Sequence, residues 1–598
     1  MFNHNVIEIS DPLEMWPEQD GAKVYLIHGR QPSLHCRGIE VVDFQGCGII
    51  RGAFVRSIWE AKGQLEQFTD ISDVATAMSR SKGSICVHIF DHRTRDYYIM
   101  NDPLGGGQIY IYSNGSHSVF GSNLNSITEL CAARGDKLKR DIRYFAAAVL
   151  TYTHSYGSDS PYEGVRVLRR GEYLRIHRDG HTEIFSVAPP ENLYLDTRPY
   201  NDALALLRRD ILENVTAPAA LDYDYKVSHL TAGFDSRLVL SAMLHARVAD
   251  QFLYHCINTS PDATIAKQLA GHLGLRYTPN NDGNPRGKSY QRDYIEYIHN
   301  TPRSSQLVIG DGLDSRYMPA NVLVYQGGYG EVARTFNSFK WDGDISDPRK
   351  LAFTLWRWIN YPSRDESPTS IWAEDFLDHV ANRLLIHYQD FSRLGLPSDY
   401  FTNYLYVEGR NRIFFGARSY YASAYRSQFD PIYSTHIVSM TAGLDFERRK
   451  ANFVGLDLMR LLAPELLALP FDKAKIAPLY ARERGPIESL EFNGNSPEIV
   501  ELVDRSDYPI PWPGTHTVVS DEDAAAARSL RIPEIVAYGL RKYGPVALDV
   551  VASDPKLRAI YNPAGLQDLA GPVSSLTRDR ALRLHGMISS LVLAELIR

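Results

Sequence analysis

The sequence predicts an α/β protein in two unequal parts. A β-rich region spans residues 1–195, and a doubly wound parallel sheet with helical additions spans residues 196–598. Three observations carry this. Strand-length apolar runs separated by Gly- and Pro-containing turns fill the first part. From Tyr200 onward, strand-length runs alternate with helix-period segments. One stretch, Val227 to Leu240 (VSHLTAGFDSRLVL), joins the two periods across a tight turn of small residues.

In the first part the strand candidates are Val24–Ile27, Ile85–Phe90, Tyr97–Met100 and Ile109–Tyr112. The segment Asn101-Asp102-Pro103-Leu104-Gly105-Gly106-Gly107 between the last two predicts a hairpin-like unit. In the second part, Ala203, Leu204, Leu206, Leu207, Ile211 and Leu212 make Tyr200–Val215 an amphipathic helix. Val227 and Leu230 then mark a strand. Thr231-Ala232-Gly233-Phe234-Asp235-Ser236 turns it, and Leu238, Val239, Leu240 and Met243 continue at helical spacing. Phe252–Ile257 reads as a second parallel strand. Ser260-Pro261-Asp262 opens another helix that Gly274 stops. Asn321–Tyr325 is the next strand. Residues 351–430 carry Trp, Tyr and Phe at helical spacing, mostly core. Asp523–Ala527 looks like a helix start. Ile535–Tyr543 and Leu582–Ile597 are helices of an extension, residues 490–598, that caps the second part or meets a partner.

The totals exclude several classes. The chain has 598 residues, 44% hydrophobic and 11% aromatic, with a net charge of −7. Length alone suggests roughly three to five domains' worth of chain. This is a globular composition with no electrostatic footprint for nucleic acid. The five cysteines (Cys36, Cys47, Cys86, Cys131, Cys256) form no C-x-x-C pair, so neither a disulfide frame nor a zinc site is indicated. Residues 1–20 are polar and acidic, unlike a secretory signal, and no apolar run reaches spanning length. A reducing cytoplasm, with no membrane partner, is the expected setting.

The turn at 231–236 carries chemistry. Backbone N–H groups at a helix N-terminus and the partial positive charge there favour phosphate. Ala232 and Gly233 allow close approach of a ligand to the backbone. Asp235 adds a carboxylate able to hold Mg²⁺ against phosphate oxygens. No Gly-Lys-Ser/Thr follows, so this is not a Walker loop. It resembles the pyrophosphate-binding loop of ATP pyrophosphatases, Ser-Gly-Gly-x-Asp-Ser, with Thr231 for Ser and Ala232 for the first Gly. An ordinary strand-to-helix turn is the alternative for these six residues.

Other segments extend the resemblance. Asp102-Pro103-Leu104-Gly105 with Ile109-Tyr110-Ile111-Tyr112 resembles the Asp-Pro-Leu-Gly…Leu-Tyr-Tyr segment of class B asparagine synthetases. Phe120-Gly121-Ser122 resembles the Phe-Ala-Ser that follows it. Tyr162–Leu168 with Gly171-Glu172-Tyr173-Leu174 resembles the end of that family's glutaminase domain. These lie in the family's order, and the likeness covers most of residues 20–480. It implies an Ntn-hydrolase-like αββα domain, then an adenine nucleotide α-hydrolase-like synthetase domain. One departure stands out. Such glutaminases use an N-terminal cysteine, whereas this chain begins Met1-Phe2-Asn3-His4, and Cys36 and Cys47 are internal. The resemblance then implies a domain that does not hydrolyse glutamine and serves as a platform. The same departure marks family branches that close rings without ammonia: β-lactam and carbapenam synthetases, and lasso peptide cyclases.

The resemblance also implies site residues. ATP and pyrophosphate would meet Leu230, Thr231, Ala232, Gly233, Phe234, Asp235, Ser236, Arg237 and Cys256. Leu230 and Cys256 would lie beside adenine, with core burial the alternative for Cys256. The segment Gln326-Gly327-Gly328-Tyr329-Gly330-Glu331-Val332-Ala333-Arg334 resembles the family's second phosphate segment. There Gly327 and Gly328 would let backbone approach the nucleotide. Glu331 would join Asp235 on Mg²⁺, and Arg334 would neutralise pyrophosphate or pair with an acid. Tyr329 is either an acid–base group or a pocket wall. Glu408, beside Arg410 and Arg412, is either the carboxylate that helps deprotonate the attacking amine or half of a Glu–Arg ion pair. Lys473 and Lys475 both match a family lysine that steadies developing negative charge. Asp311–Arg316 mimics the first loop but lacks its flanking strand and helix, and reads as a turn.

The expectation is an ATP- and Mg²⁺-dependent amide synthetase that forms AMP and diphosphate. Its substrate would be a peptide, closed as a lasso macrolactam, or a small amino acid closed as a β-lactam-type ring. An ammonia-using synthetase and a non-catalytic scaffold are the alternatives. For the lasso reading, a leader-peptide-processing protease or recognition protein is the implied partner.

Overall fold

The computed structural model describes residues 38–114, 117–151, 159–256, 261–278, 321–335, 340–359 apart from 342 and 345, 371–423, 426–473, 476–500, 519–567 and 571–597. It also describes residues 13–14, 23–26, 294–295 and 298. The chain start, Cys36, Asp311–Arg316 and Lys475 lie outside the described residues.

The first part is a four-layer block. One sheet holds β1 (Leu13–Glu14), β2 (Lys23–Leu26), β7 (Tyr110–Ser113), β8 (His117–Gly121) and β9 (Val165–Val167). Its order is β1-β2-β8-β7-β9, antiparallel except for the β2–β8 pair. The other holds β3 (Ile39–Ile50), β4 (Ala53–Val55), β5 (Lys82–Asp91), β6 (Asp96–Asn101), β10 (Tyr173–Ile176) and β11 (Thr182–Phe185). It is antiparallel throughout, in the order β11-β10-β6-β5-β3-β4. Val42, Cys86, Ile99 and Leu174 of this sheet meet Ile111 and Phe120 of the first. Helices Ile58–Leu65 and Ile71–Met78 cover one outer face through Leu65, Val74 and Met78. Helix Leu124–Ala133 covers the other through Leu124, Ile127 and Leu130. The layer order is helix, sheet, sheet, helix.

The four early strand candidates all lie on strands, but the hairpin does not form. β6 and β7 belong to different sheets, and residues 102–109 carry the chain between them. Asp102 explains the crossing. Its buried carboxylate accepts backbone N–H bonds from Leu104, Gly106 and Gly107 at 3.2, 3.1 and 2.7 Å, and from Ile85 of β5 at 3.3 Å. It also accepts the Tyr433 hydroxyl at 2.5 Å. A side chain at Gly107 would sit 2.0 Å from the Ile85 carbonyl, so only glycine lets the crossing lie this close.

The second part is built on a parallel sheet with helices. Its strands are β12 (Tyr225–His229), β13 (Leu253–His255), β14 (Arg276–Tyr277), β15 (Val322–Tyr325), β16 (Ser427–Phe429) and β17 (Glu498–Ile499). All pair in parallel, in the order β16-β15-β12-β13-β14-β17. The order reverses between β12 and β15, and the carboxyl ends of these strands are where a parallel sheet ordinarily places its ligand crevice. The extension departs from the purely helical expectation, because β17 adds a strand to the far edge. Its helices Asp521–Leu530, Glu534–Ser553 and Arg578–Leu593 form as the sequence indicates, the first closed by a Ser520–Asp523 capping box. The last turns back on the first part. Arg140 donates to the Leu593 carbonyl at 2.9 Å, and Gly586 packs against Val149 of helix Ile142–Thr151. One apolar core therefore runs from Cys47 and Leu104 to Ile597. No helix among the described residues is long and apolar enough to cross a membrane.

Candidate functional site

The loop after β12 folds as its residue types require. Helix Phe234–His245 begins with Gly233 as its N-cap, at φ −77° and ψ 173°. The Thr231 N–H donates to the Ser236 hydroxyl at 2.9 Å, and the two hydroxyls lie 3.0 Å apart. The Gly233 N–H donates to the Thr231 hydroxyl at 3.1 Å. Two side-chain oxygens thus tie the turn, which is what a Thr and a Ser five residues apart can do. Ala232 is fully buried, and its carbonyl faces the Asp472 N–H at 3.5 Å. That contact sets Phe471-Asp472-Lys473 beside the loop, with Lys473 exposed.

The second segment packs directly on the first. A Cβ on Gly327 would meet the backbone of Asp235 and Ser236 at 3.1 Å. One on Gly330 would lie 2.4 Å from the Asp235 carboxyl, and one on Gly328 would lie 2.4 Å from Asp430. Of the two glycines expected to admit a nucleotide, Gly327 admits the backbone of the loop and Gly328 admits the Asp430 carboxyl. Gly330–Ala333 forms a short 3₁₀ turn that brings Glu331 and Arg334 to Asp235. Arg334 Nη1 and Nη2 reach the two Asp235 oxygens at 2.8 and 3.1 Å, and Nη2 reaches Glu331 at 3.4 Å. Both carboxylates thus lie around one cation position. The paired acids hold the Arg334 guanidinium well above its usual pKa.

A polar row, most of which sequence reasoning missed, crosses the same edge. His229 and His255 are in register, their rings 6.1 Å apart. Gln326, Asp430 and Thr278 follow the last registered residues of β15, β16 and β14. Five strands therefore present Asp430, Gln326, His229, His255 and Thr278 side by side. Burial raises the Asp430 carboxyl above its ordinary value, although Ser419 and the Gly328 N–H donate to it at 2.7 and 3.0 Å. Thr278 is 0% and Gln326 6% exposed, and among the described residues the Thr278 hydroxyl and Gln326 amide nitrogen have no hydrogen-bond partner. Buried polar groups are normally satisfied, so these atoms suit a ligand. The signal was available: a polar residue ends each apolar run just where the crevice must lie.

The other expected residues lie as follows. Arg237 is 0% exposed and turned from the crevice, donating to the carbonyls of Leu466, Leu469 and Pro470 at 3.1, 2.9 and 2.6 Å. Its guanidinium lies 3.7 Å from the Phe471 ring centroid, and burial lowers its pKa to about 10. It fastens the loop helix to the segment that carries Lys473. Leu230 and Phe234 are buried in the core, and Cys256 is buried at the end of β13. Tyr329 is 0% exposed and packs 4.8 Å from the Tyr433 ring, facing the seam where Gly416 meets Gly106. It is a wall between the two parts, and burial pushes its hydroxyl well above the usual range.

Glu408 lies on a π-helical segment, Tyr406–Gly416. It pairs with Arg170 of the first part, at 2.5 Å, with the Tyr194 hydroxyl donating at 2.6 Å. Arg412 turns instead to the carbonyls of Gly105 and Leu168. The ion-pair alternative for Glu408 therefore holds in this structure, and the pair sits in the seam with side chains 8% and 13% exposed.

The arrangement can present a helix N-terminus, two carboxylates around one cation position, an arginine and an exposed lysine to a phosphorylated ligand. Two carboxylates fit Mg²⁺, whose remaining ligands are ordinarily waters and substrate phosphates. Among the described residues no group of three or more acidic, His or Cys side chains forms a metal cage. A scan against protein-family models finds no match to this chain, and a search of the curated proteins finds none either.

Proposed function

We propose that this protein is an ATP-dependent amide synthetase of the asparagine synthetase-like type, forming AMP and diphosphate. The observation that carries the reading is the meeting of the two segments. The Thr231–Ser236 loop and the Gly327–Arg334 turn are far apart in sequence, yet pack backbone to backbone at the switch point of a parallel sheet. The layer order of the first part accords with the same family.

In this reading the loop and helix N-terminus bind the phosphates, and Asp235 and Glu331 would hold Mg²⁺, which would supply charge neutralisation to the phosphates. A substrate carboxylate oxygen displaces diphosphate from the α-phosphorus. An amine then attacks the activated carbonyl, releasing AMP and a proton. Arg334 and Lys473 balance the charge on diphosphate. The Gln326 amide nitrogen and Thr278 hydroxyl, without a partner among the described residues, fix the orientation of base or acid. With Glu408 engaged by Arg170 and Tyr329 walled in, neither serves as the base in this arrangement. The product proposed first is a lasso-type macrolactam made within one peptide, and second a β-lactam-type ring.

The test is diphosphate release from ATP with candidate amino acids and precursor peptides. Asp235→Ala abolishes a genuine signal. One observation favours a second reading, a non-catalytic scaffold: Arg334 already neutralises both Asp235 oxygens. Absence of ATP binding and of diphosphate release with every acid tried would establish it.

A further inference from the structure

We propose that Arg334 is a resident counter-cation. It holds Asp235 and Glu331 while the site is free of nucleotide, and a divalent cation gains those carboxylates only when phosphate draws the guanidinium away. The inference rests on the nucleotide reading above and adds an order of binding to it.

The geometry supports each half. The fork of Arg334 spans both oxygens of Asp235 and extends to Glu331, so the position between the acids already carries a positive group. A planar fork matched to a carboxylate is the arginine geometry that lysine cannot copy. The backbone of Arg334 is pinned, because Asn403 Nδ2 donates to its carbonyl at 2.7 Å and its N–H reaches the Glu331 carbonyl at 3.3 Å. Its side chain is held by the two acids and lies 6.0 Å from the Phe234 ring centroid. The side chains of Arg334, Asp235 and Glu331 are 26%, 26% and 40% exposed, so an anion from solvent can reach the guanidinium and compete with the acids for it. Two carboxylates and one guanidinium leave a single net negative charge. That attracts a hydrated dication weakly, whereas the two carboxylates alone attract it strongly. Phosphate is the other ligand for which a guanidinium fork is built.

The experiment uses the full chain and two probes, Mn²⁺ alone, followed by electron paramagnetic resonance, and inorganic pyrophosphate alone, followed by calorimetry. Arg334→Gln should bind Mn²⁺ at least about tenfold more tightly than the native chain. It should bind pyrophosphate at least about tenfold more weakly. Opposite signs are the signature. Asp235→Asn/Arg334→Gln should lose the Mn²⁺ gain. Arg334→Lys, which keeps the charge without the fork, should fall between, and it decides the matter if the glutamine variant does not fold. Equal Mn²⁺ affinity in native and variant chains overturns the proposal. So does a gain that survives loss of Asp235, or a loss of both ligands together. If the nucleotide reading itself fails, the native chain binds neither ATP nor pyrophosphate, while the Mn²⁺ gain of Arg334→Gln remains.

Discussion

Gly330→Ala puts a methyl group where the Asp235 carboxyl already lies. The added carbon would sit 2.4 Å from both Cγ and Oδ1 of Asp235, against an ordinary contact of 3.4 Å, so the carboxyl must retreat by about 1 Å. The Arg334 contacts at 2.8 and 3.1 Å then lengthen past hydrogen-bond range. Forced crowding of this kind costs about 1–3 kcal/mol of stability. Misplacing a substrate-holding group by about 1 Å reduces turnover roughly 100-fold, the equivalent of about 2.7 kcal/mol. Mg–ATP affinity and ATP-dependent diphosphate release report the loss, and the melting temperature shows that the variant folds. Gly63→Ala is the control. It lies inside helix Ile58–Leu65, and its Cβ would meet nothing within 4 Å. It should stabilise the helix by about 0.5–1 kcal/mol and leave binding alone. A folded Gly330→Ala chain that binds Mg–ATP within threefold of the native one would refute the packing of these two segments as the basis of the site.

Three further outcomes follow from the same geometry. Glu408→Gln leaves Arg170 buried without its counter-charge and should destabilise by about 3–5 kcal/mol in urea unfolding, with Glu408→Gln/Arg170→Met recovering most of the loss; a stable but inactive Glu408→Gln would instead make it a catalytic base. Arg237→Met strands three carbonyls and should destabilise by about 3 kcal/mol, while Mg–ATP affinity in the folded fraction stays within threefold; a selective loss of affinity would return Arg237 to the phosphate site. Burial lowers the fully buried His88 from 6.5 to about 3, so the folded chain binds fewer protons than the unfolded chain between those values. Its share of stability is complete above pH 6.5 and falls by about 2 kcal/mol by pH 5. His88→Asn should flatten the acid limb of the unfolding profile, and an unchanged limb would show that His88 is not its source.

Much of the fold was legible because it is local. β5, β6, β12 and β15 lie on apolar runs, and the helices at Tyr200, Phe234 and Asp262 follow their periods. The hairpin at 101–109 was misread because its glycines look like any turn. Only Asp102, gathering the Ile85 N–H of β5 and the Tyr433 hydroxyl, makes the segment a crossing between sheets. The place of Arg237 is hidden in the sequence for a similar reason. A motif counts positions, but a helix turns about 100° per residue, so Asp235 faces the crevice while Arg237 points to the core side.

The sequence by itself determined the β-rich first part, the strand–loop–helix at Val227–Leu240 and the residue types at the loop, because spacing and turn chemistry act over a few bonds. Tertiary structure decided the partners. Arg334 on Asp235, Arg170 on Glu408 and the row from Asp430 to Thr278 join residues distant in the chain. Ion pairing and burial depend on distance in space, and no period along the chain encodes it.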